Sequence, residues 1–299
     1  MQYSMEQRRH FGELIRKESA KKKTVWPDDY RAFRDLVTIT EMTVPGRNGD
    51  IPVYVIAPRD VPAPSALHIN LHGGGWIKPH GERDLMFCAM LAASVPCTVV
   101  DVDYRTTDMC RYPVPYDDCY DAAVWACENA ERFGAQRSKV TVGGHSAGAS
   151  MAASCVIRGR ETGEFLPCGQ TLDYGNFDLG VPPEEKPLIP GGRLSPDRMR
   201  MSVSLLTEDD PDVLGSPYCS VLKAPDSMLE GLPETLIISA GKCPFRAEDA
   251  EYAERLEKCG VPVTLRCFME SDHGFVISLE GEWREAQDLT VRWLKERVK

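Results

Sequence analysis

The chain has 299 residues and a formal net charge of -10, with 42% hydrophobic and 27% charged residues. This composition is typical of a globular protein with a large core, and one α/β domain with a small cap fits the length as well as two domains do. The negative charge argues against nucleic acid and anionic membranes as partners, because both would repel the chain.

The eleven cysteines lie scattered between Cys88 and Cys267, without a C-x-x-C pair or a histidine-rich cluster that would indicate a metal site. Several fall inside apolar stretches, so we expect buried, reduced thiols and a reducing compartment. The N-terminus lacks the apolar core of a signal peptide, and no apolar run is long enough for a membrane span. The sequence therefore predicts a cytoplasmic protein.

Residues 1–32 are rich in charge, and Phe11, Leu14 and Ile15 have the spacing of one apolar helix face. This pattern predicts an N-terminal helical lid segment in front of a main domain over residues 33–299. Two β-rich runs at 36–44 and 51–58 then predict a hairpin or a pair of antiparallel edge strands.

After residue 65, short apolar strands alternate with helical patterns up to the last helix. The strand predictions cover 66–71, 97–105, 139–142, 166–174, 235–239 and 263–269. Such alternation with short links predicts an α/β fold, in which a mostly parallel twisted sheet is flanked by helices.

Residues 139–153, KVTVGGHSAGASMAA, join a β-branched run to a small-residue helix through a tight turn. Within this turn, Gly144-x-Ser146-x-Gly148 has the spacing of a nucleophile elbow, in which a serine needs neighbours without side chains where backbones crowd. Ser146 would then lie exposed at the strand end, with the Ala147 amide directed at the position of an oxyanion.

Three glycines follow the strand at 66–71 directly, in His72-Gly73-Gly74-Gly75-Trp76. Consecutive glycines cost conformational entropy unless the backbone must approach another group closely. Together with Ser146, they predict that glycine amides form the second part of an oxyanion hole. His273 lies in the loop after the last predicted strand, and this position favours a role as the catalytic base.

The segment at about 175–217 loses periodicity and contains repeated prolines and an acidic run. A weakly structured segment of this length inside a compact domain is typical of a lid or a binding insertion. Met199 and Met201 either line an acyl pocket there or pack beneath the lid.

Four motifs in this order and spacing resemble the hormone-sensitive-lipase-like family of α/β-hydrolases, the bacterial carboxylesterases with an HGGGW turn. They are His72–Trp76, Asp103-Tyr104-Arg105, Gly144–Gly148 and His273-Gly274-Phe275. The resemblance implies an α/β-hydrolase fold with a small lid, no cofactor or metal, and hydrolysis of small esters with short acyl chains. It also implies that Ser146 is the nucleophile, that His273 is the base, and that Gly74, Gly75 and Ala147 supply the oxyanion hole. Members often pair through the last strand, so a homodimer is also expected.

The sequence departs from the family at the third triad member. Relatives carry an acid in a stretch resembling D-P-L-R-D-E, whereas this chain has Cys243 at the acid position and Ala247 at the second acidic one. A neutral thiol is a poor hydrogen-bond acceptor and carries no charge. Loss of the acid costs about 10⁴-fold in turnover in a serine protease.

Three interpretations remain open. Another carboxylate, Glu248 or Asp178, substitutes for the acid; or Ser146 and His273 act as a slow dyad; or hydrolysis is lost and the pocket only binds a small ligand. The plant gibberellin receptors resemble the family in this last way. A thiol-dependent enzyme that uses Cys243 is a weaker hypothesis, because Cys243 is not at an elbow.

Overall fold

The computed structural model describes residues 3–21, 24–61, 66–187, 189 and 192–299. Eight strands form one sheet: β1 Val37–Val44, β2 Ile51–Pro58, β3 Ala66–Leu71, β4 Cys97–Val102, β5 Val140–His145, β6 Gly169–Asp173, β7 Thr235–Ala240 and β8 Val263–Phe268. The α-helices are α1 Met5–Lys21, α2 Asp28–Asp35, α3 Glu82–Ser94, α4 Val114–Glu128, α5 Ala147–Thr162, α6 Pro196–Thr207, α7 Pro211–Leu214, α8 Asp226–Leu229, α9 Arg246–Lys258, α10 Phe275–Ser278 and α11 Trp283–Arg297. Among these described residues, no helix combines the length and apolar character needed to cross a bilayer.

The strands follow the order β1-β2-β4-β3-β5-β6-β7-β8. Strand β2 pairs antiparallel with both β1 and β4, whereas every other neighbouring pair is parallel. The predicted α/β fold, with a mostly parallel sheet and an antiparallel pair at its edge, is confirmed.

The central strands β3, β4, β5, β6 and β7 are buried along their whole length, because helices cover both faces of the sheet. Two apolar clusters result. One packs α4 and α5 against the sheet, and the other packs α3 and α11 against it. Parallel strands place their carboxyl ends at one edge, where a ligand site of this fold class is expected.

The N-terminal segment contains two helices, and the predicted boundary at residue 32 falls inside α2. Arg8 of α1 is buried, with an exposed fraction of 2%. Its guanidinium donates to the carbonyls of Thr107 and Cys110 at 3.3 Å, to that of Leu205 in α6, and to Glu208. This one side chain therefore fastens α1 to α6.

The segment at about 175–217 is more regular than the sequence indicates, because it contains α6. Ser195 caps the first turn by accepting from the Arg198 amide, and Pro196 occupies the first helical position, as helix N-termini favour. Polar residues interrupt the apolar spacing of α6, so the sequence pattern did not indicate a helix there. Met199 lines a cavity, whereas Met201 packs against Ile15 and Ile77.

Close backbone contact fixes where β3, β5 and α5 meet. A Cβ on Gly148 would lie 1.9 Å from the Leu71 carbonyl oxygen, and one on Gly144 would lie 2.5 Å from the Gly148 backbone. No side chain fits at either position, so the two glycines of the predicted elbow are required by packing.

We expect Gly148→Ala to destabilise the protein by about 3 kcal/mol, because the added carbon overlaps backbone atoms that cannot rotate away. Urea unfolding followed by circular dichroism measures the change. Gly81→Ala is the control, since a Cβ there has its nearest contact at 3.9 Å, and it is expected to cost less than about 1 kcal/mol. Equal losses in the two variants would contradict the close-contact argument.

Candidate active site

Ser146 lies between β5 and α5 in a strained backbone conformation, with φ 55° and ψ -117°. A non-glycine residue with positive φ is uncommon and persists only where its surroundings hold it. Here the Ser146 amide donates to the Asp173 carbonyl at 2.8 Å, and the glycine contacts described above leave no room for relaxation. The turn therefore presents the Ser146 hydroxyl at the carboxyl edge of the sheet.

His273 follows β8 and contacts the serine directly, with 2.9 Å between its Nε2 and the Ser146 Oγ. Aromatic rings surround the imidazole: the centroid of Tyr174 lies 5.0 Å away and that of Phe245 lies 5.4 Å away. The structure thus brings together two residues that are 127 positions apart in the sequence. A hydroxyl and an imidazole at this distance can exchange a proton.

The residues predicted for the oxyanion hole line the same cavity as Ser146 and His273. Gly74 and Gly75 have φ values of 128° and 62°, which glycine adopts readily. Within the described chain, the amides of Gly74, Gly75 and Ala147 are not among the donors of the loop and turn hydrogen bonds. Three amides without an internal acceptor at one cavity wall can serve an anion.

Buried polar side chains support the glycine turn from behind. The His72 ring stacks on Tyr104 at a centroid distance of 4.1 Å, and the Tyr104 hydroxyl donates to the His72 carbonyl at 2.8 Å. Nearby, His80 Nε2 lies 2.6 Å from Asp101. Burial alone would lower the pKa of His80, but the Asp101 carboxylate raises it to about 9. These contacts hold the turn in position while its amides stay free.

Cys243 occupies the acid position in space as well as in sequence. Its Sγ lies 3.1 Å from the Nδ1 of His273, and the Phe245 amide donates to the same sulfur at 3.4 Å. The thiol is buried, and burial, together with the nearby Asp249, Glu248 and Asp272 carboxylates, raises its pKa well above the usual range. The group beside the imidazole is therefore a neutral thiol.

The replacement of a carboxylate by the Cys243 thiol has two chemical consequences. A carboxylate only accepts, and so fixes a proton on Nδ1; a thiol both donates and accepts, so it also permits the tautomer in which Nε2 already carries the proton. In addition, the thiol offers no charge to stabilise an imidazolium. Burial, followed by the positive charges of Arg193 and Arg198, lowers the pKa of His273 to about 3.

The structure does not bring Glu248 to His273. Its Oε2 accepts from the amides of Phe177 and Asp178 at 2.7 and 2.9 Å, and its Oε1 binds the Lys186 ammonium. Lys186 is buried and also donates to the Asn176 side chain at 2.9 Å. These contacts give Glu248 a structural role: it holds the chain after β6.

Asp178 and Asp272 likewise point to other partners. Asp178 pairs with Lys223 at 2.7 Å and accepts from the Gly180 amide at 2.9 Å. Asp272 accepts from the His273 amide at 2.6 Å, not from its ring. The expectation that Glu248 or Asp178 replaces the acid is therefore corrected: among the described residues, the partners of the His273 ring nitrogens are Ser146 and Cys243.

The cavity above Ser146 measures about 250 Å³. Sequence reasoning did not assign several of its lining residues to the site, because most of them lie far apart in the chain and outside the recognised motifs. They are Lys78, Arg83, Asp84, Tyr174, Asn176, Arg193, Arg198, Ser202 and Phe245. The predicted insertion pointed to the region of Arg193 and Arg198, but without the course of α6 it did not show which side chains face inward.

The pKa of about 3 predicts that His273 stays neutral between pH 5 and pH 8, roughly the range in which an ordinary histidine titrates. Cys243→Asp is expected to raise this pKa into that range, because a carboxylate at Nδ1 favours the imidazolium. The proton chemical shift at Cε1 of His273, assigned by its loss in His273→Gln, reports the titration. Cys243→Ser is the neutral control. A wild-type midpoint near the usual histidine pKa would contradict the prediction.

Comparison with known proteins agrees with this geometry. The family model Abhydrolase_3, described as an alpha/beta hydrolase fold, matches residues 68–277. The chain is 31% identical over 247 residues to the carboxylic ester hydrolase LipN of Mycobacterium tuberculosis, covering 80% of this chain and 65% of LipN. It is also 31% identical over 248 residues to the carboxylesterase NlhH of the same organism, covering 80% of this chain and 75% of NlhH.

A solved esterase structure from Pyrobaculum calidifontis superposes with a TM-score of 0.84 at 29% identity, covering 99% of this chain and 95% of that one. The sheet order, the serine elbow, the glycine turn and these relatives lead to one assignment. The chain belongs to the hormone-sensitive-lipase-like family of α/β-hydrolases, in its carboxylic ester hydrolase group.

Proposed function

We propose that the protein hydrolyses carboxylic esters with short acyl groups through an acyl-enzyme on Ser146. The observation that carries this proposal is the 2.9 Å contact between Ser146 Oγ and His273 Nε2 in a cavity that Gly74, Gly75 and Ala147 also line. A cavity of about 250 Å³ favours small acyl and alcohol groups.

The reaction divides into two acyl transfers. The Ser146 oxygen attacks the ester carbonyl while His273 Nε2 accepts its proton, and the carbonyl oxygen becomes an oxyanion held by the three amides. The C–O bond to the alcohol then breaks, and His273 delivers the proton to the departing oxygen. Water repeats the sequence on the acyl-enzyme, so that the acid leaves and Ser146 regains its proton.

Cys243 makes this cycle slower than in a complete triad. The thiol neither fixes the productive tautomer of His273 nor carries charge to stabilise its protonated form, and the low pKa of His273 makes it a weak base. The oxyanion amides and the fixed serine–histidine geometry still accelerate the reaction. We therefore propose a slow Ser146–His273 dyad.

The same observation favours a second candidate, an impaired homologue that binds a small ligand. A site that keeps its cavity and its anion-binding amides but has a neutral group at Nδ1 can recognise an ester or an acid without turnover. The thiol-dependent enzyme has no such support. Cys243 is buried and protonated, and nucleophilic catalysis requires an accessible thiolate.

The cellular setting stays a prediction. All eleven cysteines lie in described parts of the chain and are free thiols, which supports a reducing compartment such as the cytoplasm. Strand β8 ends the sheet and exposes Leu265, which supports pairing with a second copy along this edge. Sedimentation or light scattering determines whether the homodimer forms.

Hydrolysis of p-nitrophenyl acetate and butyrate tests the proposed activity. We expect measurable turnover by the wild type and its loss in Ser146→Ala, because Ser146 is the hydroxyl partner of His273 Nε2 among the described residues. A sulfonyl fluoride should label Ser146 stoichiometrically, as located by mass spectrometry. An unlabelled Ser146, together with tight binding of an intact ester, would instead support the ligand-binding candidate.

The dyad predicts that Cys243→Asp raises turnover by about 10²-fold or more, approaching the roughly 10⁴-fold effect of the acid in serine proteases. The matched control, Cys243→Ser, removes the sulfur without adding charge and is expected to stay within a few-fold of the wild type. Asp178→Asn, which lacks contact with His273, should do likewise. If Asp178→Asn abolished hydrolysis and Cys243→Asp changed nothing, a substitute acid would exist.

A further inference from the structure

Positive charge is concentrated around the cavity above Ser146. Among the described lining residues, four side chains are cationic, Lys78, Arg83, Arg193 and Arg198, and one is a carboxylate, Asp84. They come from separate parts of the fold: Lys78 follows the glycine turn, Arg83 lies at the start of α3, Arg193 precedes α6, and Arg198 lies in the first turn of α6. This local excess of positive charge contrasts with the net charge of -10 of the whole chain.

Asp84 is a single carboxylate beside these four cations, and it already has a partner. It is 3% exposed and accepts from the Gly81 amide at 3.0 Å, in the first turn of α3, where the helix dipole already favours a negative charge. Arg193 has a partner at the surface, Glu280, and donates to the Ser278 hydroxyl at 2.7 Å. Asp272, beside His273, is bonded to the backbone amides of Arg193 and His273.

The cations also act on the catalytic base. Arg193 and Arg198 both disfavour a proton on His273, and the neutral Cys243 thiol does not offset them. Attack by Ser146 nevertheless requires His273 to accept the proton of the Ser146 hydroxyl and so to become positively charged. A negative charge bound near the two guanidinium groups would oppose their effect at the moment when the imidazolium forms.

We propose that the natural substrate is an ester that carries a carboxylate, which binds at Arg193 and Arg198 while the ester carbonyl lies at Ser146. The inference rests on the proposed esterase function and specifies its substrate class. The planar guanidinium group pairs with a carboxylate through two parallel hydrogen bonds. The carboxylate takes no part in bond making or breaking. The bond between Ser146 and the acyl group forms, and the alcohol leaves with the proton from His273. The carboxylate remains on the alcohol or on the acyl group, whichever part of the substrate carried it.

Two matched pairs of esters test the charge. In the first pair, 4-acetoxybenzoate carries the anion on the leaving group, and methyl 4-acetoxybenzoate is its neutral counterpart. In the second, methyl hydrogen succinate carries it on the acyl side, and dimethyl succinate is neutral. We expect kcat/KM for the anionic ester to exceed that of its partner by about tenfold or more in one of the pairs, and the advantage to shrink as added salt screens the charges.

Arg198→Gln should reduce this advantage, measured as the ratio of kcat/KM for the anionic ester to kcat/KM for its neutral partner, by about tenfold. Arg198→Lys keeps the charge and should retain most of the advantage. The matched control is Arg200→Gln on the same helix, because Arg200 is exposed, pairs with Glu184 and Asp197, and does not line the cavity. It should leave all four rates unchanged.

Equal rates within both pairs, or equal losses in Arg198→Gln and Arg200→Gln, would overturn the charge proposal while leaving Ser146-dependent hydrolysis intact. Hydrolysis that persists in Ser146→Ala would instead overturn the proposed function. If no ester is turned over, calorimetric binding of 4-acetoxybenzoate and its methyl ester to the wild type and to Arg198→Gln decides the same question. Affinity for the anion that is independent of Arg198 would refute it.

Discussion

The site depends on how closely the end of β3 approaches the serine elbow. Gly144 and Gly148 allow the carbonyls of Leu71 and His72 to reach the first turn of α5, where any side chain would overlap them. This contact places the glycine turn and the strained Ser146 side by side at one edge of the sheet. Because both are backbone features, nucleophile and anion-binding amides share one rigid frame, and the contacts that hold this frame do not involve Cys243.

That independence explains how the fold accommodates Cys243. The thiol fills its place between Phe245 and His273 and keeps a contact with Nδ1, so the imidazole stays directed at Ser146. Geometry and electrostatics are thereby separated: the orientation of the base is preserved, whereas the charge that would stabilise its protonated form is absent. The burial that makes the cavity a good place to bind an ester also makes an uncompensated imidazolium costly.

Much of this arrangement was predictable from the sequence because it is local or follows from the order of elements. The pattern Gly144-x-Ser146-x-Gly148 encodes its own turn, and a histidine after the last parallel strand must lie near the edge where all such strands end. The place of Cys243 followed from the family resemblance, in which the acid comes after the penultimate strand. The sequence did not reveal that Glu248 lies away from His273. Glu248 instead pairs with Lys186, which is 62 positions away and which no sequence pattern connects to it. The cationic lining could not be predicted for a similar reason, since Lys78 and Arg198 line one cavity only because α6 packs over the glycine turn.

The buried Arg8 has a consequence for how this cavity can respond to a ligand. Its guanidinium joins α1 to the carbonyl end of α6 and to the loop after β4, and α6 supplies Arg198, Met199 and Ser202 to the cavity wall. Displacing α6 would break the hydrogen bond from Arg8 to Leu205 and the pair of Arg8 with Glu208, which is costly for a buried cation. We therefore expect this wall to keep its shape when a ligand binds, so that α1 influences which ligands fit although it supplies none of the described lining residues.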